Sequence, residues 1–194
     1  MIENLLTRKQ ATAKTKITVK TLVSAGIVAL AVVLPQLAHV AIGTDAGLKW
    51  LPMYFPILIG GCLLGSQWGL AVGMVSPVVS FFITSLSGEA MPTLQRLPFM
   101  MAELAVLAFV TGLFSEKIEK NSLMAFPAVI IALIGSRAFF VGLTAVFQSF
   151  TTLTVSTVLS QIQTGLAGFA VQAVIAPLVV IGLKRLMMRD NAHD

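Results

Sequence analysis

Six apolar stretches, separated by short polar ones, make up most of this chain. They run from about Thr18 to Ile42, Leu51 to Leu64, Leu70 to Leu86, Arg96 to Glu116, Ser122 to Phe147 and Thr157 to Leu186. A helix that crosses hydrocarbon needs about 20 apolar residues, and all but the second stretch come close to that or exceed it. The pattern therefore predicts an all-α polytopic membrane protein with six transmembrane helices. The second stretch is short and carries Pro52 and Pro56, which suit a helix start or a bent entry better than a helix middle. A short bent helix beside a loop lines a cavity more readily than lipid, because protein or water must satisfy its backbone.

The polar breaks define the rest of the layout. Gly43–Lys49 is a short loop that meets Trp50, an aromatic of the interface-anchoring kind. Gly65–Gly69 reads as a tight turn, with Trp68 a second anchor. Residues 87–95 form a polar loop, 116–121 a charged turn, and 148–156 an uncharged loop rich in Ser and Thr. Residues 1–17 read as a cationic, poorly ordered arm, 18–187 as the membrane domain, and 188–194 as a tail. The first apolar run is too long for a cleaved signal peptide.

Charge then orients the bundle. The ends and the 116–121 turn hold Arg8, Lys9, Lys14, Lys16, Lys20, Lys117, Lys120, Lys184, Arg185 and Arg189. The opposite loops hold only Lys49, with Arg96 at an edge. The positive-inside rule places both termini in the cytoplasm. The loops 43–50, 87–95 and 148–156 then face outward and could fold over a site open to that side.

Composition agrees. The chain is 57% hydrophobic and 11% charged, against roughly 25% charged residues in a soluble domain. The net charge of +5 sits mostly at the chain ends and meets lipid headgroups rather than nucleic acid. One cysteine, Cys62, allows no internal disulfide. No metal pattern, nucleophile elbow or phosphate-binding glycine loop is present, so the chain does not read as an enzyme, and it hydrolyses no ATP itself.

Three charges lie at bilayer depth: Arg96, Glu103 and Arg137. Such charges are functional-site candidates by default. Arg96 and Glu103 are seven residues apart, on nearly one helix face, with Met100 between them. In one reading the arginines meet an anionic or hydrogen-bonding ligand through their planar donor forks. In the other, Glu103 pairs with Arg137 or Arg96 and fixes helix packing. The two are compatible if one arginine pairs and the other is free. His39 fits an interfacial histidine or a ligand contact, and Tyr54 an anchor or a stacking residue. Gln172 is expected to face the bundle, since an amide facing lipid is costly. Ala25 and Ala29, four apart with Gly26 beside them, place small side chains on one face where another helix could approach closely.

These residues resemble a family. Leu51-Pro52-Met53-Tyr54-Phe55-Pro56-Ile57-Leu58 is similar to the LPMHxPVLL segment of the substrate-binding S components of energy-coupling factor (ECF) vitamin transporters. The likeness continues through Gly60, Gly65 and Gly69, Ser76-Pro77, Met91-Pro92, Pro98-xxx-Ala102-Glu103-Leu104, Gly112-Leu113 and Gly135-x-Arg137. It spans about residues 20–187, with its specific motifs mainly in 51–114.

The resemblance implies a site near the outer face built from helices four to six and the outward loops, with Gly43–Lys49 as a lid. It implies that Ala25 and Ala29 dock on a transmembrane scaffold subunit, and that two ATPase subunits hydrolyse the ATP. It also implies a body that topples in the membrane to release a vitamin inward. The chain departs from the family at Tyr54, where relatives carry histidine, across Ser87–Thr93, and at Leu107-Ala108, where a Tyr-Gly pair is expected. Arg96 and Arg137 suit a carboxylate, which favours pantothenate. A B6-type vitamin, another pyrimidine and a corrinoid stay open, as do a stand-alone secondary transporter or channel and a ligand-free scaffold.

Overall fold

The computed structural model describes residues 2, 12–43, 46–86, 88, 91–151 and 153–190, with side chains through 186. Arg8, Lys9 and His193, and the loop positions 44–45, 87, 89–90 and 152, lie outside the described residues. The regular elements among the described residues are helical. In order they are α1 (Ala13–Ile42), α2 (Ala46–Trp50), α3 (Tyr54–Leu64), α4 (Ser66–Leu86), α5 (Leu97–Leu113), α6 (Ser115–Lys120), a 3-10 turn (Ser122–Met124), α7 (Ala125–Phe147) and α8 (Val155–Asp190).

Five spans have membrane length and hydropathy: α1, the joined α2–α3 segment Ala46–Leu64, α4, Ser122–Phe147 and α8. The remaining apolar helix, α5, is shorter, at 17 residues. Phe82, Leu86, Ile134, Val146 and Leu178 are among the large apolar side chains left exposed. In water such a surface would drive aggregation; in a bilayer it is the lipid contact. The chain is an all-α, polytopic membrane protein.

Several boundaries differ from expectation. Helix one starts at Ala13, so residues 13–17 of the supposed arm continue the helix. The first outward loop is partly helical, since Ala46–Trp50 forms α2. Gly65 alone makes the expected turn at 65–69. Its φ of 86° suits a residue without Cβ, and its N–H donates to the Gly61 carbonyl. The charged turn at 116–121 is mostly the helix α6, because Phe114 interrupts the fourth helix only locally.

α3 is the centre of the bundle, with buried residues on all sides. Ile57, Leu58 and Cys62 join Leu104, Leu107 and Ala108 of α5 and Val129 and Ala132 of α7 in the main core. α4 and α5 meet backbone to backbone. A Cβ on Gly73 would strike the Leu104 carbonyl, and one on Gly112 would strike Ser66. Small residues give membrane helices this close approach. At the same end, Lys184 Nζ of α8 donates to the Ile118 carbonyl at 3.0 Å, the Glu119 carbonyl at 2.6 Å and the Ser122 hydroxyl at 2.9 Å. This ammonium satisfies helix-end acceptors that would otherwise be orphaned.

Candidate functional site

The opposite end of the bundle encloses space. A cavity of about 420 Å³, within the size range of small-molecule sites, opens among the helix ends and loops. Its walls are Pro35 of α1, Gly47 and Leu48 of α2, and the connector Leu51-Pro52-Met53 leading to Tyr54. Ser80 of α4, the segment Met91-Pro92-Thr93, and Arg96, Met100 and Glu103 form the next side. Arg137 and Phe140 of α7 and Gln161 of α8 complete it. Among the described residues no cluster of three or more metal-ligating side chains exists.

The ion pair that organises the floor joins α5 to α7. Arg137 Nη1 stands 3.0 Å from Glu103 Oε1, with side-chain exposures of only 9% and 2%. The guanidinium also lies over three rings, with its Cζ 4.8 Å from the Phe169 centroid, 5.0 Å from Tyr54 and 5.9 Å from Phe140. Such contacts favour a cation most when it is shielded from water. A buried charge without a partner costs several kcal/mol, so this pair fixes the relation of the two helices. Arg137 Nε is buried without a hydrogen-bond partner among the described residues, which leaves one donor at the floor unused.

Arg96 differs. It immediately precedes α5, is half-buried, lines the cavity, and has no ion-pair partner among the described residues. The segment before it is tied to α4. Ser80 Oγ donates to the Met91 carbonyl at 2.9 Å, Thr84 Oγ1 donates to the same carbonyl at 3.1 Å, and Met91 N–H donates to Thr84 Oγ1 at 2.8 Å. These two hydroxyls hold residues 91–93 over the cavity. Their sequence signal was a four-residue Ser/Thr spacing on an otherwise apolar helix, with lipid-facing Phe82 and Ile83 on the other side.

The structure thus gathers Tyr54, Arg96, Met100, Glu103 and Arg137 around one space. It leaves two expected site residues outside. His39 sits near the end of α1, where its carbonyl accepts the Gly43 N–H, and it is not among the lining residues. Gln172 faces the bundle as expected, but its amide is engaged by backbone. Nε2 donates to the Trp50 carbonyl at 2.8 Å and the Leu51 carbonyl at 2.9 Å, behind the cavity wall. Gln161, a polar group on the last helix, lines the cavity, as do Ser80 and Thr93, which were not singled out from the sequence. Ala25 and Ala29 are exposed, with exposed Leu22 and Leu30 beside them.

The family profile described as ECF transporter, substrate-specific component, matches residues 20–180, most of the chain and every cavity-lining residue. The chain belongs to this family. No match was found among curated proteins or among solved structures. As an S component, the chain is the substrate-binding subunit of an ECF transporter, a membrane protein whose family works with a scaffold and an ATPase module.

Proposed function

We propose that this S component captures a small water-soluble vitamin bearing one carboxylate, with pantothenate the first candidate, and that Arg96 receives the carboxylate. The observation that carries this reading is the unequal state of the two cavity arginines. Arg137 is already neutralised by Glu103 and covered by rings, whereas Arg96 reaches the cavity without an ionic partner among the described residues. A guanidinium in that position is suited to a bidentate carboxylate contact. Tyr54, Met100 and Phe140 offer an apolar body for the ligand, and Gln161, Ser80 and Thr93 are nearby hydrogen-bonding groups. A volume of about 420 Å³ favours a small acid over a corrinoid macrocycle, which is several times larger than such an acid.

The ligand enters from the side of the loops 43–50, 87–95 and 148–156, and the lysine- and arginine-rich side faces the cytoplasm of a bacterial or archaeal type of cell. Turnover then requires a transmembrane scaffold subunit and two ATPase subunits, which hydrolyse the ATP; this chain supplies binding and no catalysis. The scaffold docks on the exposed Ala25–Ala29 face of α1. A bulky residue at either alanine is expected to abolish assembly and leave ligand binding intact, as read by co-purification with the ECF module.

The deciding experiment is titration of the purified chain with pantothenate, pyridoxine, thiamine and cobalamin, followed by thermal shift. A ligand that binds only the folded state raises its stability. Pantothenate is expected to stabilise the chain, and Arg96→Gln to weaken binding at least about tenfold through loss of a charge-assisted contact. Unchanged affinity in Arg96→Gln would reject the anion contact. Uptake into liposomes that follows an ion gradient without ATPase subunits would reject the ECF mechanism in favour of a secondary transporter.

A further inference from the structure

The cavity wall made by α2 and the connector Leu51–Met53 is not held by apolar packing alone. Leu51 has a φ of 49°, the left-handed region that a branched-chain residue occupies only at a cost. Gln172 Nε2 spans this residue, donating to the carbonyl before it and to its own. On the same face of α8, one and two turns earlier, lie Gly168 and Gly165. A Cβ on Gly168 would stand 2.6 Å from the Lys49 carbonyl oxygen and 2.9 Å from Trp50 Cα, so only glycine lets α2 approach this closely. A Cβ on Gly165 would stand 3.1 Å from Leu51 Cδ1. Leu48, Leu51 and Met53 line the cavity, yet Gln172 and both glycines stand behind them, away from it.

We infer that Gln172, seated above Gly165 and Gly168, is a latch: a positioning residue that holds the α2 wall against α8 and sets how long the cavity stays closed over its ligand. The inference rests on the reading of the cavity as the ligand site. The wall is short, and a five-residue helix has no internal stability of its own in isolation. Its strained connector favours release once the two hydrogen bonds are gone. The amide reaches only carbonyls, so an apolar side chain of the same length keeps the packing and removes the latch. Among the described residues nothing else donates a side-chain hydrogen bond to the Trp50 or Leu51 carbonyl.

Hydrogen exchange on the full chain tests this without any ligand. In Gln172→Met, amides of residues 46–54 are expected to exchange at least about tenfold faster, the effect of losing two net hydrogen bonds, while α3, α4 and α5 keep their protection. Gly168→Ala, which leaves the amide in place and displaces α2 from behind, is expected to accelerate the same segment. Unchanged exchange of 46–54 in both variants would overturn the latch. Acceleration spread evenly over all helices would also overturn it, reducing Gln172 to a general stabilising residue. With radiolabelled pantothenate as probe, the latch predicts a faster dissociation rate in Gln172→Met with little change in association rate; equal slowing of association would overturn it. A wild-type chain that fails to bind pantothenate counts against the ligand assignment, and the exchange result still decides the latch.

Discussion

The two ends of this bundle are built on opposite principles. At the end bearing Gly65, Phe114 and Lys184, α3, α4 and α5 touch backbone to backbone through glycines, and a buried ammonium seals the helix ends. At the other end the same helices diverge around a cavity, and polar bonds between side chain and backbone hold its walls beside the close approach of α2 to α8 at Gly168. Membrane helices have no hydrophobic force between them, so close van der Waals contact and interhelical hydrogen bonds are the available means of holding a shape. The glycine end uses the first and cannot yield without a clash. The cavity end relies more on the second.

The sharpest way to break this contrast is at the ion pair. Arg137→Ala leaves Glu103 buried and uncompensated, and thermal or denaturant unfolding should register a loss of about 3–5 kcal/mol. The double change Glu103→Leu with Arg137→Met should recover most of that stability while leaving ligand affinity reduced. Next is Gly112→Leu at the packed end. Overpacking against Ser66 should cost about 1–3 kcal/mol, read by unfolding, with binding affinity of the folded fraction unchanged. Thr84→Val, at the cavity end, removes the bonds to the Met91 backbone and should cost about 1 kcal/mol. It should weaken ligand binding more than an equal destabilisation at Gly112. Smallest in stability is Arg96→Gln, expected to leave unfolding unmoved and to act on affinity alone.

Much of the helical layout was legible because lipid imposes a simple demand: every spanning segment must be apolar and satisfy its own backbone. The six apolar runs therefore coincide with the membrane helices within a few residues at most ends. That Glu103 could pair with an arginine was legible, but which arginine it takes was not. Seven-residue spacing put Arg96 and Glu103 on one face of a predicted helix, but Arg96 lies ahead of the first helical residue and Glu103 turns to α7. Which partner a buried carboxylate takes is a question of tertiary distance, which helical spacing does not contain. Gln172 shows the same boundary. Hydropathy required it to face inward, yet its partners are carbonyls 121 and 122 positions away, exposed by a backbone kink at Leu51 that no residue type announces.

The unequal helix lengths carry one more consequence. α5 has 17 residues and α8 has 36, so at 1.5 Å per residue they span roughly 25 Å and 54 Å. A hydrocarbon layer of about 30 Å matches neither. α5 is mostly buried in the bundle and sets no lipid thickness, whereas on the α8 side the helix must tilt or project beyond the lipid. The mismatch costs only fractions of a kcal/mol per Å and differs around the perimeter. Lipid thickness therefore becomes a variable that sets how far α8 leans.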